Sequence, residues 1–209
     1  MLRELGIVIG KETVSGIIFE NLFSDFMEIK YTNPSDYIRI LWDRYQNATL
    51  KKSPSVNGSI FEYILASLCI REEILPFYMG TKIAFVPNVD FDLMFYTDDF
   101  GPICWSAKTS LRERYKQADL EAIALKNVHR RALCYLITLD EAEARRVKVK
   151  IKNGDVGGLD EVILANSPDF DALIIAMKNY KLEEPPTVPV LKARKTITLS
   201  KVKSVFPIN

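Results

Sequence analysis

The rhythm of apolar and polar positions changes near residue 80. Before it, apolar residues recur three and four apart, the period of a helix. The first 50 or so residues read as helical, interrupted by a turn at Asn33-Pro34, and YIRILWDRYQN (37–47) sets aromatic and apolar side chains at helical spacing. KKSPSVNG (51–58) reads as a loop, because Pro54 and Asn57-Gly58 are turn formers. SIFEYILASLCIREEIL (59–75) then reads as a helix with Ser59 as N-cap, and Glu62 three residues on completes a capping box.

After Gly80 the apolar runs are short and β-branched or aromatic. KIAFVPNVDFDLMFY (82–96) and PICWSAK (102–108) read as strand segments separated by the turn TDDFG. A helix follows from Leu111 to about Lys126, with Leu111, Tyr115, Ala118, Ala122 and Leu125 as its apolar stripe. ALCYLITL (132–139) is apolar on both sides, as a buried central strand is. DEAEARR opens another helix or turn, and the alternating VKVKIK reads as an exposed strand. The bend GDVGG (154–158) leads to a strand, EVILAN (161–166), and a capped helix, SPDFDALIIAMKNY (167–180). LEEPPTVP (182–189) is a stiff linker to a last strand-like stretch, LKARKTITLSKV (191–202).

Strands interleaved with helices predict an α/β fold in which helices flank a mixed β-sheet. The length suits a single domain over 1–209: a helical N-terminal part (1–57), a core (58–180) and a C-terminal strand and tail (190–209).

Composition narrows the function classes. The net charge of +1 argues against a purely electrostatic nucleic-acid binder, without excluding a few basic groups placed locally. Cys69, Cys104 and Cys134 sit in apolar runs and form no CxxC pair, so buried reduced thiols in a cytoplasmic protein are expected. MLRELGIVIGKE carries early charges and does not read as a signal peptide, and no apolar run reaches the ~20 residues of a membrane span. His129 is the only histidine, which rules out a zinc site built on two imidazoles. In KNVHRR it reads as a cation at a helix C-terminus. GDVGG is not followed by GK[ST], so it is not read as a nucleotide loop.

The candidate chemistry lies on the two strands around TDDFG. Alternation puts Cys104, Ser106 and Lys108 on one face and Trp105 and Ala107 on the other, while Asp90 and Asp92 share a face of the preceding segment. If the segments pair, an aspartate and Lys108 meet near one sheet edge. A carboxylate can hold a divalent cation that acidifies a water, and a lysine beside it can orient that water or neutralise a phosphate. One carboxylate is too few for a hard cation, and the position two residues before the lysine is Ser106. Glu121 lies roughly 80° from the centre of its helix's apolar stripe, at the border of burial, and can replace the missing acid from the helix. Arg114 points nearly the same way. Arg112 and Arg114 at a helix N-terminus oppose the macrodipole, which points to a negatively charged partner. Glu113 could equally cap that helix with Ser110.

Asp92, Ser106-x-Lys108, twelve residues, then Glu121 resembles the rearranged PD-(D/E)XK site of type II restriction endonucleases, in the branch that reads CC…GG targets. The resemblance covers about residues 58–140. It implies a restriction-endonuclease-like fold and Mg²⁺-dependent cleavage of double-stranded DNA at a short palindrome with a CC…GG core. By the resemblance Asp92 and Glu121 hold the metal, Lys108 positions the attacking water, Ser106 fills the vacated acid position, and Glu62 is the acid on the helix before the first catalytic strand. Arg112-Glu113-Arg114 stands where the branch carries its reading element, and guanine offers O6 and N7 to arginine as cytosine offers its amino group to a carboxylate. A homodimer, a cognate DNA methyltransferase and a bacterial or archaeal cytoplasm follow from the same resemblance. Pro87 directly precedes neither aspartate, so Asp90 stays an alternative to Asp92, which is preferred because LMFY follows it. Lys51, Lys52 and KARK (192–195) could meet phosphates. A structure-specific repair or recombination nuclease of the same fold is the alternative within catalysis. Ser106 in the acid position admits a non-catalytic DNA-binding protein as well.

Overall fold

The computed structural model describes residues 2–8, 13–185 and 191–206. Residues 186–190, which include the second half of the stretch read as a stiff linker (182–189), lie outside them. Three helices come first: α1 (Val14–Phe23), α2 (Pro34–Asn47) and α3 (Pro54–Arg71). Strands β1 (Phe77–Ile83), β2 (Phe91–Thr97) and β3 (Gly101–Lys108) follow. Then α4 (Arg114–Val128), β4 (Leu133–Thr138), α5 (Glu141–Asn153), β5 (Glu161–Leu164), α6 (Pro168–Asn179), β6 (Leu191–Ile197) and α7 (Leu199–Val205) complete the described chain.

The six strands form one mixed sheet in the order β5-β4-β3-β2-β1-β6. β3, β4 and β5 run parallel, joined by the α4 and α5 crossovers, while β6, β1, β2 and β3 pair antiparallel. The turn between β2 and β3 is tight: Thr97 Oγ1 accepts from Phe100 N at 3.0 Å, and Gly101 takes φ +72°.

Strand alternation divides the core in two. Leu93, Phe95, Trp105, Ile137 and Ile163 face α1, α2, α3 and α6 in a core rich in aromatic rings, whereas Met94, Cys104, Cys134, Leu136 and Val162 face α4 and α5. The three thiols are free and buried, as expected. Among the described residues no helix is long and apolar enough to cross a membrane.

Several expectations are corrected. The helix expected from Ser59 starts at Pro54, because Ser53 accepts from Val56 N and Pro54 occupies the first turn; Asn57-Gly58 lies inside it. Glu62 is therefore no cap but a mid-helix residue. The first strand begins at Phe77, ahead of Gly80, and the segment 82–96 is the end of β1, a turn and β2. VKVKIK belongs to α5: Asp140 caps it, Gly154 at φ +81° ends it, and Ala144 and Val147 bury one face. Its lysine–valine alternation is too short to outweigh those stop and start signals. The last strand-like stretch ends at Ile197, and Thr198 caps α7, accepting from Lys201 N. His129 does stand at the C-terminus of α4, but its surroundings work against its charge. Burial pushes its imidazole below the usual histidine range, and Nε2 is buried without a partner among the described residues.

Candidate active site

The strands around TDDFG do pair, and their register builds the site. Leu93 lies opposite Trp105, so the next pair outward sets Asp92 opposite Ser106 on the α4 face. Lys108 Nζ donates to Asp92 Oδ2 at 2.8 Å, and Ala107 N donates to the same oxygen at 2.7 Å. Both side chains are about one-fifth exposed, at 19% each, so the pair is partly shielded from water yet open to a ligand. Among the described residues Asp92 Oδ1 accepts no protein hydrogen bond. Asp90 turns away from Lys108 and pairs instead with Arg194 on β6, at 3.3 Å. Of the two aspartates, Asp92 is the one the sheet joins to the lysine.

Two glutamates approach Asp92 from opposite faces. Glu62, on α3, has its carboxyl pushed up to about 7, first by burial and then by the Asp92 charge, with Lys108, Lys195 and Arg194 pulling the other way. Glu121, on α4, is raised by partial burial; Gln117 Nε2 donates to its Oε1 at 2.8 Å and, with Lys108, favours the ionised form, while Asp92 and Asp90 oppose it. The helix-borne acid therefore lies within electrostatic reach of both Lys108 and Asp92. Ser106, opposite Asp92 in the register, is buried at 5% exposure and too short to take a carboxylate's place.

A cleft of about 220 Å³ opens beside this cluster, lined by Glu62, Tyr63, Gly80, Asp92, Arg194 and Lys195 among others. Arg194 and Lys195 come from β6, within the strand-like stretch that carries the basic KARK run. Burial pushes the Lys195 ammonium down to about 8, against the pull of Glu62, and its Nζ sits 5.0 Å from the centre of the Tyr63 ring.

The remaining candidates lie apart from the cleft lining. Arg112, Glu113 and Arg114 are exposed ahead of and at the start of α4. Arg112 takes φ +42°, Glu113 makes no capping hydrogen bond and pairs with Lys116, and the expected Ser110–Glu113 box is not formed. Lys52 is engaged structurally, donating to Gln46 O at 3.0 Å and Ala48 O at 2.9 Å at the end of α2, while Lys51 is exposed.

The acids whose charges act on one another here, Asp92, Glu62 and Glu121, are all oxygen donors, the chemistry that suits a hard divalent cation. Among the described residues no three such groups stand close enough together to enclose a metal. Mg²⁺ is usually held by one or two carboxylates, with water and substrate phosphate oxygens completing the set.

No family model matches the chain, and no curated protein does. Solved structures do match it. The restriction endonuclease PspGI in a substrate DNA complex is 16% identical, with 83% of each chain covered and a TM-score of 0.57. Metal-depleted Ecl18kI in complex with uncleaved DNA is 18% identical, covering 85% of this chain and 83% of that one at a TM-score of 0.50. The chain thus has the fold of type II restriction endonucleases, and the resemblance drawn from residues 58–140 extends in three dimensions over most of its length.

Proposed function

We propose that this protein is a Mg²⁺-dependent site-specific endonuclease that cuts both strands of DNA at a short palindrome with a CC…GG core. The observation that carries the reading is the Asp92–Lys108 ion pair of 2.8 Å across β2 and β3, with a glutamate reaching it from each face of the sheet. The two structural neighbours, both DNA complexes, support a DNA substrate.

Asp92 and Glu121 would hold the cation. Bound there, Mg²⁺ lowers the pKa of a water and neutralises phosphate charge. Lys108 orients the attacking water and stabilises charge developing on the phosphorane. Glu62 adds negative charge behind Asp92 once its own proton is lost. Ser106, buried opposite Asp92, leaves the space that an acid at this position would fill. Arg112, Glu113 and Arg114, exposed on the approach to α4, are free to enter the major groove. Arg112 and Arg114 would bond guanine O6 and N7, and Glu113 the cytosine amino group, each pair giving roughly 1–3 kcal/mol of discrimination. Its exposed ion pair with Lys116 is weak enough to exchange. Lys51 would meet the phosphate backbone more readily than Lys52, whose ammonium caps α2. A palindromic target implies a homodimer, since protein two-fold symmetry mirrors that of the site. A cell carrying such an activity in its cytoplasm needs a DNA methyltransferase of the same specificity.

The test is digestion of a sequenced plasmid with Mg²⁺, followed by run-off sequencing of the ends. Discrete cuts within CC…GG sites are expected. Cutting confined to branched or single-stranded DNA would make it a structure-specific nuclease, and site-specific binding without cutting would make it a DNA-binding protein.

A further inference from the structure

The C-terminal strand lies beside the site for a reason visible in the register. Met79 and Thr81 of β1 flank Gly80, and they pair with Leu93 and Phe91 on one side and with Lys195 and Ala193 on the other. Arg194, Gly80 and Asp92 therefore form one row across three strands, on the same face of the sheet. A side chain in the middle of that row would separate the outer two. Gly80 has none, and a Cβ there would sit 2.5 Å from Arg194 Nε. The guanidinium lies over the glycine and leans towards β2, spanning part of the about 10 Å that two strand spacings impose. Gly80 also takes φ +55°, a conformation that suits glycine.

Arg194 is not held there by strong structural bonds. Its side chain is 69% exposed, and among the described residues its partner is Asp90 at 3.3 Å, an exposed pair of the kind that contributes little to stability. It borders both the cleft with Glu62 and Asp92 and the adjoining depression with Lys82 and Asp90. Lys195 points to the other face, towards Tyr63 and Glu62, so the strand's two cations are not equivalent.

We infer that Arg194 is a phosphate-binding residue of this active site, clamping the DNA backbone phosphate next to the one that reacts and giving up Asp90 to do so. The inference rests on the proposed nuclease reading and adds to it a residue from the far end of the chain. A guanidinium suits the task, because its planar fork offers two parallel hydrogen bonds to one phosphate.

The experiment uses the full-length protein and the duplex that the wild type cuts, with Ca²⁺ in place of Mg²⁺ to read binding alone. Arg194→Ala is expected to bind about tenfold more weakly. Its plot of log K against log salt should be shallower by about one unit. Arg194→Lys should keep the salt slope while losing part of the affinity. A neutral methylphosphonate at the phosphate beside the cut should weaken the wild type about tenfold and leave Arg194→Ala no weaker than before, since the two changes remove one contact. Unchanged affinity and slope in Arg194→Ala, or losses that simply add, would overturn the clamp while leaving the nuclease in place. A wild type that neither binds nor cuts any duplex would remove the nuclease reading, and the clamp with it.

Discussion

Helices α3 and α4 cover opposite faces of the sheet, and each carries one glutamate within electrostatic reach of the Asp92–Lys108 pair. They do it under different constraints. Every residue from Ile60 to Ile70 is buried except Glu62, so α3 is a core helix with an acid in its wall. α4 buries one stripe only, Tyr115, Ala118, Ala122 and Leu125, and leaves Leu120 exposed. Packing on all sides fixes Glu62 closely, but the same burial raises its carboxyl to about 7. Glu121 stands at the margin of its stripe, where partial burial also raises its carboxyl but Gln117 and Lys108 offset part of that. The lesson is a division of labour. The margin of an amphipathic helix leaves an acid open to polar partners that favour its charge, while a core helix holds one whose protonation depends more strongly on pH.

Removing what both acids share should have the largest effect. Lys108→Ala is expected to lower cleavage about a thousandfold while binding persists in Ca²⁺, measured by single-turnover kinetics and gel shift. Glu121→Gln follows, with roughly a hundredfold loss of Mg²⁺-dependent cleavage in the same assay. Glu62→Gln should cost less, about tenfold, as an acid behind the metal ligands does.

Glu62→Gln also separates the two helices by stability. In the folded protein Glu62 keeps its proton up to about 7, against 4.5 when unfolded, so between those values the folded state holds a proton the unfolded state has lost. Stability contributed by this group is present below 4.5 and is lost as pH rises towards 7. The glutamine variant escapes that loss. It should therefore melt a few degrees above the wild type at pH 8 and level with it at pH 4, in the absence of divalent cations. Wild-type cleavage should decline as pH falls below about 7, where Glu62 gains its proton. The smallest effect is expected at Gln117→Ala, which removes one hydrogen bond from Glu121 and should slow cleavage about twofold.

Local patterning made the heart of this site legible. Two-residue alternation put Ser106 and Lys108 on one face of their strand and Asp90 and Asp92 on one face of theirs, and the α4 stripe put Glu121 at its border, because those periods are set by covalent geometry. Asp92 was preferred over Asp90 for the apolar LMFY that follows it, and the pairing of β2 with β3 joins Asp92 to Lys108. Glu62 carried a misleading signal: Ser59 three residues before it mimics a cap, although Ser53-Pro54 already starts the helix. Lys52 read as a surface cation until the fold turned it back onto α2. KARK marked Arg194 as a cation that could meet phosphates, but its place beside Asp92 was beyond local reading, because it depends on β6 pairing with β1 more than a hundred residues away and on the absence of a side chain at Gly80. Contacts of that separation leave no periodic trace in either partner.

The most direct test is a Mg²⁺ titration of single-turnover cleavage, comparing wild type with Glu121→Gln on the duplex the wild type cuts. If the acid of α4 serves the aspartate and lysine of the sheet, the variant should stay folded and bind the duplex, yet remain nearly inert at Mg²⁺ that saturates the wild type. Cleavage by the variant at the wild-type rate and the same Mg²⁺ dependence would contradict it.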